Sequence, residues 1–275
     1  MNIEEAKIII PGLKKKYIFY HLSDAHVSYV PDGASEEQVI RAQNSAKWWG
    51  KWCDPKFGTE PIHVFEKFMD ILKDSDADVI LFTGDTMEGY ADYHVEYLKR
   101  KFKECGKEIL YVPGNHEVHS FEYPDKLREI TLGDPEIWVK DFVEFVVIGL
   151  DNNRKEISDR QFSVLNEQIA RGIPIILLMH IPLATEASEE IYKGMEHKME
   201  GHLTVKEYYL MGLESTPESG KKFSSLVKDE NSHIAAIIAG HTHRSHFGEF
   251  LPGKMQFIAA PLFKNYVRRI EISGE

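Results

Sequence analysis

Five short apolar runs in this chain stop abruptly, and each hands on to a carboxylate, an amide or an imidazole. The clearest is Val79-Ile80-Leu81-Phe82, which ends at Thr83-Gly84 and delivers Asp85. A run of that length, rich in β-branched and aromatic residues and closed by glycine, reads as a strand buried on both faces. Such a strand needs a covering layer on each side, which restricts the fold to layered α/β arrangements. The other runs deliver Asp24-Ala25-His26, Asn115-His116, His180 and His241-Thr242-His243. Polar groups therefore gather where several strands stop, and in open sheets flanked by helices the crevice at the strands' carboxyl ends is where ligands bind.

Read in order, strands are expected at 17–23, 79–85, 109–112, 142–150, 175–179, 234–239, 255–260 and 267–272. Helices are expected from Pro61 to Asp74, with Pro at the first position and Ile62, Phe65, Met69 and Leu72 on one face, and from Asp92 to Glu104, with Val95, Leu98 and Phe102 inward. Ser158 and Gln161 have capping-box spacing and open another helix, and Thr204 with Glu207 could cap a short one. Two stretches fit neither pattern. Residues 27–60 are irregular around Trp48, Trp49, Trp52 and Phe57, and the simplest expectation for these tryptophans is a satellite core of their own. Residues 186–230 carry ten acidic residues against six lysines. The expected organisation is one domain over 1–275, with these two insertions capping the site.

Composition narrows the function classes. A net charge of −11 argues against a broad nucleic-acid surface, since such surfaces are basic. No stretch approaches the roughly 20 apolar residues that span a bilayer, and Glu4 and Glu5 stand where a signal peptide would carry positive charge. Two cysteines, Cys53 and Cys105, make no disulfide framework and are expected as free thiols. The expected setting is cytoplasmic.

The ordered set Asp24-x-His26, Gly84-Asp85, Gly114-Asn115-His116-Glu117, His180 and Gly240-His241-Thr242-His243 resembles the calcineurin-like metallophosphoesterase family. Imidazole nitrogen and carboxylate oxygen without thiolate suit borderline ions such as Mn, Fe, Zn, Co or Ni. Five histidines and two aspartates exceed what one tetrahedral ion uses, so two ions fit better. The resemblance implies a four-layer α/β/β/α sandwich with two mixed sheets. It also implies a partition of ligands: Asp24, His26 and His243 on one ion, Asn115, His180 and His241 on the other, and Asp85 between them. Ions roughly 3.5–4 Å apart can deprotonate a bridging water, and hydrolysis of a phosphomonoester or phosphodiester by that hydroxide is the implied reaction. His116 is implied as general acid or charge stabiliser, contacting substrate together with Asn115.

Two departures from the family stand out. Relatives often have aspartate three residues after the bridging aspartate and arginine next to it, where this chain has Glu88 and Gly89. Either Glu88 or Glu117 is expected to orient His116, and Arg244 is the candidate replacement for the phosphate-binding arginine. A nuclease of the same fold and a non-catalytic metal-binding scaffold are the competing functions. Among the remaining histidines, His119 and His202 lie nearest in sequence to features of the site.

Overall fold

The structure is a computed structural model that describes residues 2–195, 197–199 and 203–275. Its strands are β1 (Asn2–Ile9), β2 (Tyr17–Leu22), β3 (Val79–Thr83), β4 (Glu108–Val112), β5 (Ile137–Asp141), β6 (Val146–Leu150), β7 (Ile175–Leu178), β8 (Ile234–Ala239), β9 (His246–Leu251), β10 (Lys254–Ile258) and β11 (Tyr266–Ser273). Helices are α1 (Glu36–Gly50), α2 (Pro61–Lys73), α3 (Asp92–Cys105), α4 (Asp159–Ala170), α5 (Glu186–Glu190), α6 (Val205–Tyr209) and α7 (Glu218–Val227). One sheet has the order β1-β11-β2-β3-β4 and the other β5-β6-β7-β8-β10-β9. Both are mixed, with antiparallel pairs β11–β2, β5–β6 and β10–β9 among parallel ones.

Side chains alternate across each strand, and here both faces find apolar partners. From β3, Val79 and Leu81 pack between the sheets against Val147, Ile176 and Ile238. Ile80 and Phe82 point the other way, onto Phe65 and Leu72 of α2 and Leu98 of α3. The second sheet turns Ile148 and Leu177 outward onto Leu165 of α4 and Phe223 of α7. Helix, sheet, sheet and helix thus stack as four layers, as the resemblance implies.

The parallel pairings β2–β3–β4 and β7–β8 bring five strand ends to one side of the molecule. Every motif that follows one of the five apolar runs leaves from one of those ends.

The structure departs from the sequence reading in several places. The 142–150 strand begins only at Val146, because Phe142 to Phe145 form the tight turn of the β5–β6 hairpin, with Phe142 N–H donating to the Phe145 carbonyl at 2.9 Å and Val143 at φ 73°. Residues 36–50 are a helix rather than irregular chain, opened by a capping box between Ser35 and Gln38. The tryptophans do not form a core of their own. Trp48 and Trp52 are exposed, while Trp49 stacks on His26 with ring centroids 4.1 Å apart. Cys53 and Cys105 are buried free thiols. No described helix is long and apolar enough to cross a membrane.

Candidate metal centre

The site is made by backbone that side chains ordinarily avoid. Asp24, His26, Asp85, His241 and His243 all have positive φ, between 48° and 68°. For non-glycine residues this conformation costs of order 1–3 kcal/mol each and persists only where the surroundings enforce it. Enforcement comes from the strand-end loops, which zip together. Asp24 N–H donates to the Gly84 carbonyl at 3.0 Å, His26 N–H to that of Asp85 at 2.9 Å and Val27 N–H to that of Thr86 at 2.8 Å.

The glycine before each key residue has a steric reason. A Cβ on Gly84 would lie 2.6 Å from Gly114 N, one on Gly114 would lie 2.1 Å from Asp85 Oδ1, and one on Gly240 would lie 1.8 Å from Ser23 Oγ. Backbones converge too closely for a side chain, which is the physical content of the Gly-Asp, Gly-Asn-His and Gly-His-x-His pattern.

All seven expected ligand residues come together, in two groups. In the first, His243 Nε2 lies 3.2 Å from Asp24 Oδ1 and 3.1 Å from His26 Nε2. In the second, His180 Nε2 lies 3.2 Å from Asp85 Oδ2, 3.1 Å from Asn115 Oδ1 and 3.2 Å from His241 Nδ1. Asp24-His26-His243 and Asp85-His180-His241 each present ligand atoms close enough to share an ion. Asp85 belongs to the second group, and its charge also acts on Asp24 and His26.

Proton accounting tests whether cations fit. The Thr83 carbonyl, 2.6 Å from His180 Nδ1, can only accept, so that nitrogen carries the hydrogen and Nε2 presents a lone pair. This lone pair faces a carboxylate oxygen and an amide oxygen, with His241 Nδ1 beside them. In the first group, Glu88 Oε2 likewise takes the Nδ1 hydrogen of His26 at 2.6 Å, turning the Nε2 lone pair toward His243. Buried Asp24 Oδ1 and His241 Nε2 have no hydrogen-bond partner among the described residues. Acceptors facing acceptors in a buried site call for positive charge, and oxygen with imidazole nitrogen is the donor set of a borderline transition metal.

The titration tendencies agree. Burial opposes charging His180, yet Asp85 and Asp24 outweigh it and raise its pKa to about 9, so positive charge is favoured at Nε2, supplied by a proton where no cation is bound. Burial together with neighbouring His180 brings His241 down to about 3.

His116 stands beside both groups without joining the two ligand sets. Its Nε2 is 4.0 Å from Asp85 Oδ2, beyond hydrogen-bond reach, and its Nδ1 is 3.2 Å from Glu88 Oε2. Burial disfavours the imidazolium, but Glu88 and Asp85 outweigh it and raise the pKa to about 9. Glu88 pairs with both His116 and His26 through one oxygen, and despite its burial these partners bring its carboxyl down to about 2. Of the two acids, Glu88 is the one in contact with His116. Glu117 faces away, accepting from Gly114 N–H at 2.6 Å and Met87 N–H at 2.7 Å, and so pins the turn.

Arg244 lines the cleft over the site, but its guanidinium is engaged with the second insertion, 3.3 Å from the Ile191 carbonyl and over the ring of Tyr192. A cleft of about 440 Å³ opens on the centre, walled by Trp48 and Trp49 from one insertion and Tyr208 and Tyr209 from the other. A second cavity, of about 360 Å³, lies on the other side of His116 and includes exposed His119 and Arg41. His202 lies outside the described residues. Trp49 and Arg41 are the site neighbours that the sequence reading missed. Both ride on α1, whose lack of an apolar stripe hid the helix.

The fold is similar to that of a dimetal phosphatase from Danio rerio, with a TM-score of 0.53 and 11% identity over 90% of this chain and 88% of that one. GAP50, the anchor in the inner membrane complex of Plasmodium, aligns with a TM-score of 0.45 and 11% identity over 89% of this chain and 71% of that one. No curated protein matches the sequence. The profile of the calcineurin-like phosphoesterases matches residues 17–245, which span every motif of the site, and the chain belongs to that family.

Proposed function

We propose that this protein is a metal-dependent phosphohydrolase acting on a small phosphomonoester or phosphodiester. The single observation that carries the reading is the buried convergence of His180 Nε2, Asp85 Oδ2 and Asn115 Oδ1, where the neutral ring leaves only acceptors facing one another and positive charge is favoured. In this reading Asp24, His26 and His243 hold one ion, Asn115, His180 and His241 hold the other, and Asp85 is shared. Two such ions would lower the pKa of water and neutralise phosphate oxygens.

The chain's own groups divide the remaining work. Asn115 is a neutral ligand, so the centre keeps net positive charge for an anionic ester. His116, held through Nδ1 by Glu88, presents Nε2 to the leaving oxygen and supplies its proton. Glu88 fixes the ring and tautomer of His116 and of His26 together, which makes it a positioning residue. The two insertions cap the cleft and limit the substrate to a small molecule, and the scarcity of cysteine supports a cytoplasmic setting.

Protein loaded with Mn should turn over p-nitrophenyl phosphate, its bis ester or members of a nucleotide panel, and absence of turnover on all of them would sink the reading. Replacing His116→Asn should lower turnover while leaving metal content intact. Loss of both metals in that variant would mean that His116 is a ligand instead.

A further inference from the structure

Arg41 is a cation at the edge of the site with no ion-pair partner among the described residues. Its guanidinium makes no hydrogen bond or ion pair with any described residue, Glu37 one helical turn earlier included. It lies over Gly89, its Nη2 3.0 Å from the position a Cβ would take there. Together with Gln38, Ser45, Tyr93 and His119 it lines the 360 Å³ cavity that shares His116 and Asn115 with the metal centre.

This cavity is built rather than incidental. Ser45 of α1 exchanges a hydrogen bond with Ser28 at 2.8 Å, tying the helix to the loop that carries His26. The buried His94 ring sits between the carbonyls of Gly89, at 2.8 Å, and Tyr29, at 3.0 Å, which braces the loop beneath the guanidinium. The carboxylate in the cavity wall, Glu88, is already paired with His26 and His116. In a chain of net charge −11, an exposed arginine at the rim of such a cavity, without an ion-pair partner among the described residues, points to an anion supplied from outside.

We propose that Arg41 binds a second anionic group of the substrate, a phosphate or carboxylate carried by the leaving group on the far side of His116. The inference rests on the phosphohydrolase reading and deepens it, because it names a phosphoester that carries a second anionic group besides the one hydrolysed as the preferred substrate class.

The test compares two ligands that differ in one anion, glycerol 3-phosphate and 3-phosphoglycerate. Their binding to Mn-loaded protein is measured by calorimetry in the cold, with phosphate release followed in parallel. Wild type should bind 3-phosphoglycerate about tenfold more tightly, as expected for one charge-assisted contact at a partly solvated site. Arg41→Ala should abolish that preference while leaving glycerol 3-phosphate within about twofold, and Arg41→Lys, which keeps the charge but not the fork, should retain part of it. Matching thermal melts would show that the variants fold. No preference in wild type, a preference that survives Arg41→Ala, or equal weakening of both ligands overturns the assignment of Arg41. Failure of both ligands to bind Mn-loaded wild type that still turns over p-nitrophenyl phosphate or its bis ester overturns this inference alone, whereas absence of turnover on every ester overturns the phosphohydrolase reading and this inference with it.

Discussion

Adding one methyl group at Gly114 should remove the metal centre while barely changing the fold. The new Cβ would lie 2.1 Å from Asp85 Oδ1 and 2.2 Å from Asp85 N. Ordinary contact begins near 3.4 Å, so the carboxylate must retreat by about 1.3 Å, against a backbone already at φ 48°. It would also lose the 2.8 Å hydrogen bond from His116 N–H. Displacement of a reacting group by about 1 Å costs roughly 10²-fold in rate, whereas overpacking costs stability of only about 1–3 kcal/mol. Gly149→Ala is the matched control, since its Cβ would meet Trp138 Cζ2 at 2.1 Å, in the core between the sheets. Both variants should melt lower than wild type by similar amounts. Only Gly114→Ala should lose bound Mn, measured by elemental analysis, and drop by at least about 10²-fold in kcat/KM on the bis ester. Full metal content and near-normal turnover in Gly114→Ala would refute the claim that the glycine is there to admit Asp85.

Glu88→Gln keeps shape but removes the charge shared by two imidazoles. It should lower kcat by about 10- to 100-fold and weaken the ion held by His26, as loss of a ligand's orienting partner does. Combined with His116→Asn its effect on kcat should be much less than additive, because the two residues act as a unit, and simple additivity would separate them. Lys155, which shares a cavity wall with Asn115 and His241 without being a ligand, provides a pH test. Its ammonium donates to the carbonyls of Glu207 and Tyr208 at the end of α6, and burial lowers its pKa to about 8 from the ordinary 10.5. A lysine with a depressed folded pKa penalises the fold below pH 8, and the penalty lifts as pH rises toward 10.5. Wild type should therefore gain stability relative to Lys155→Met across that window, on the order of 3 kcal/mol in denaturant melts. A gap independent of pH would contradict the assignment.

Burial determined what could be read in the sequence. β3 and β7 are covered on both faces, so they appear as continuous apolar runs whose ends mark the site. β1, β5 and β9 were missed, and each is the edge of a sheet, paired on one side only and partly solvated, so no such run betrays it. α1 was missed for a related reason. None of its residues is buried, and its visible signal was the capping pair Ser35 and Gln38. The ligand residues were legible because each motif follows an apolar run and the ordered set, with its glycines, resembles the family's pattern. Arg41 and Trp49 were not, because they reach the site from a helix whose docking is a tertiary event. Glu88 was named, but the choice between it and Glu117 needed the turn geometry that sends one acid toward His116 and the other onto backbone amides.

The central claim is that Asp85 joins two groups of ligands into one dinuclear centre, and metal stoichiometry tests it most directly. Wild type loaded with Mn and freed of excess should hold two ions per chain. Asp24→Asn and His180→Gln should each weaken one ion preferentially, while Asp85→Asn should release both together. A single ion per chain in wild type, or an Asp85→Asn protein that keeps both, would contradict the account.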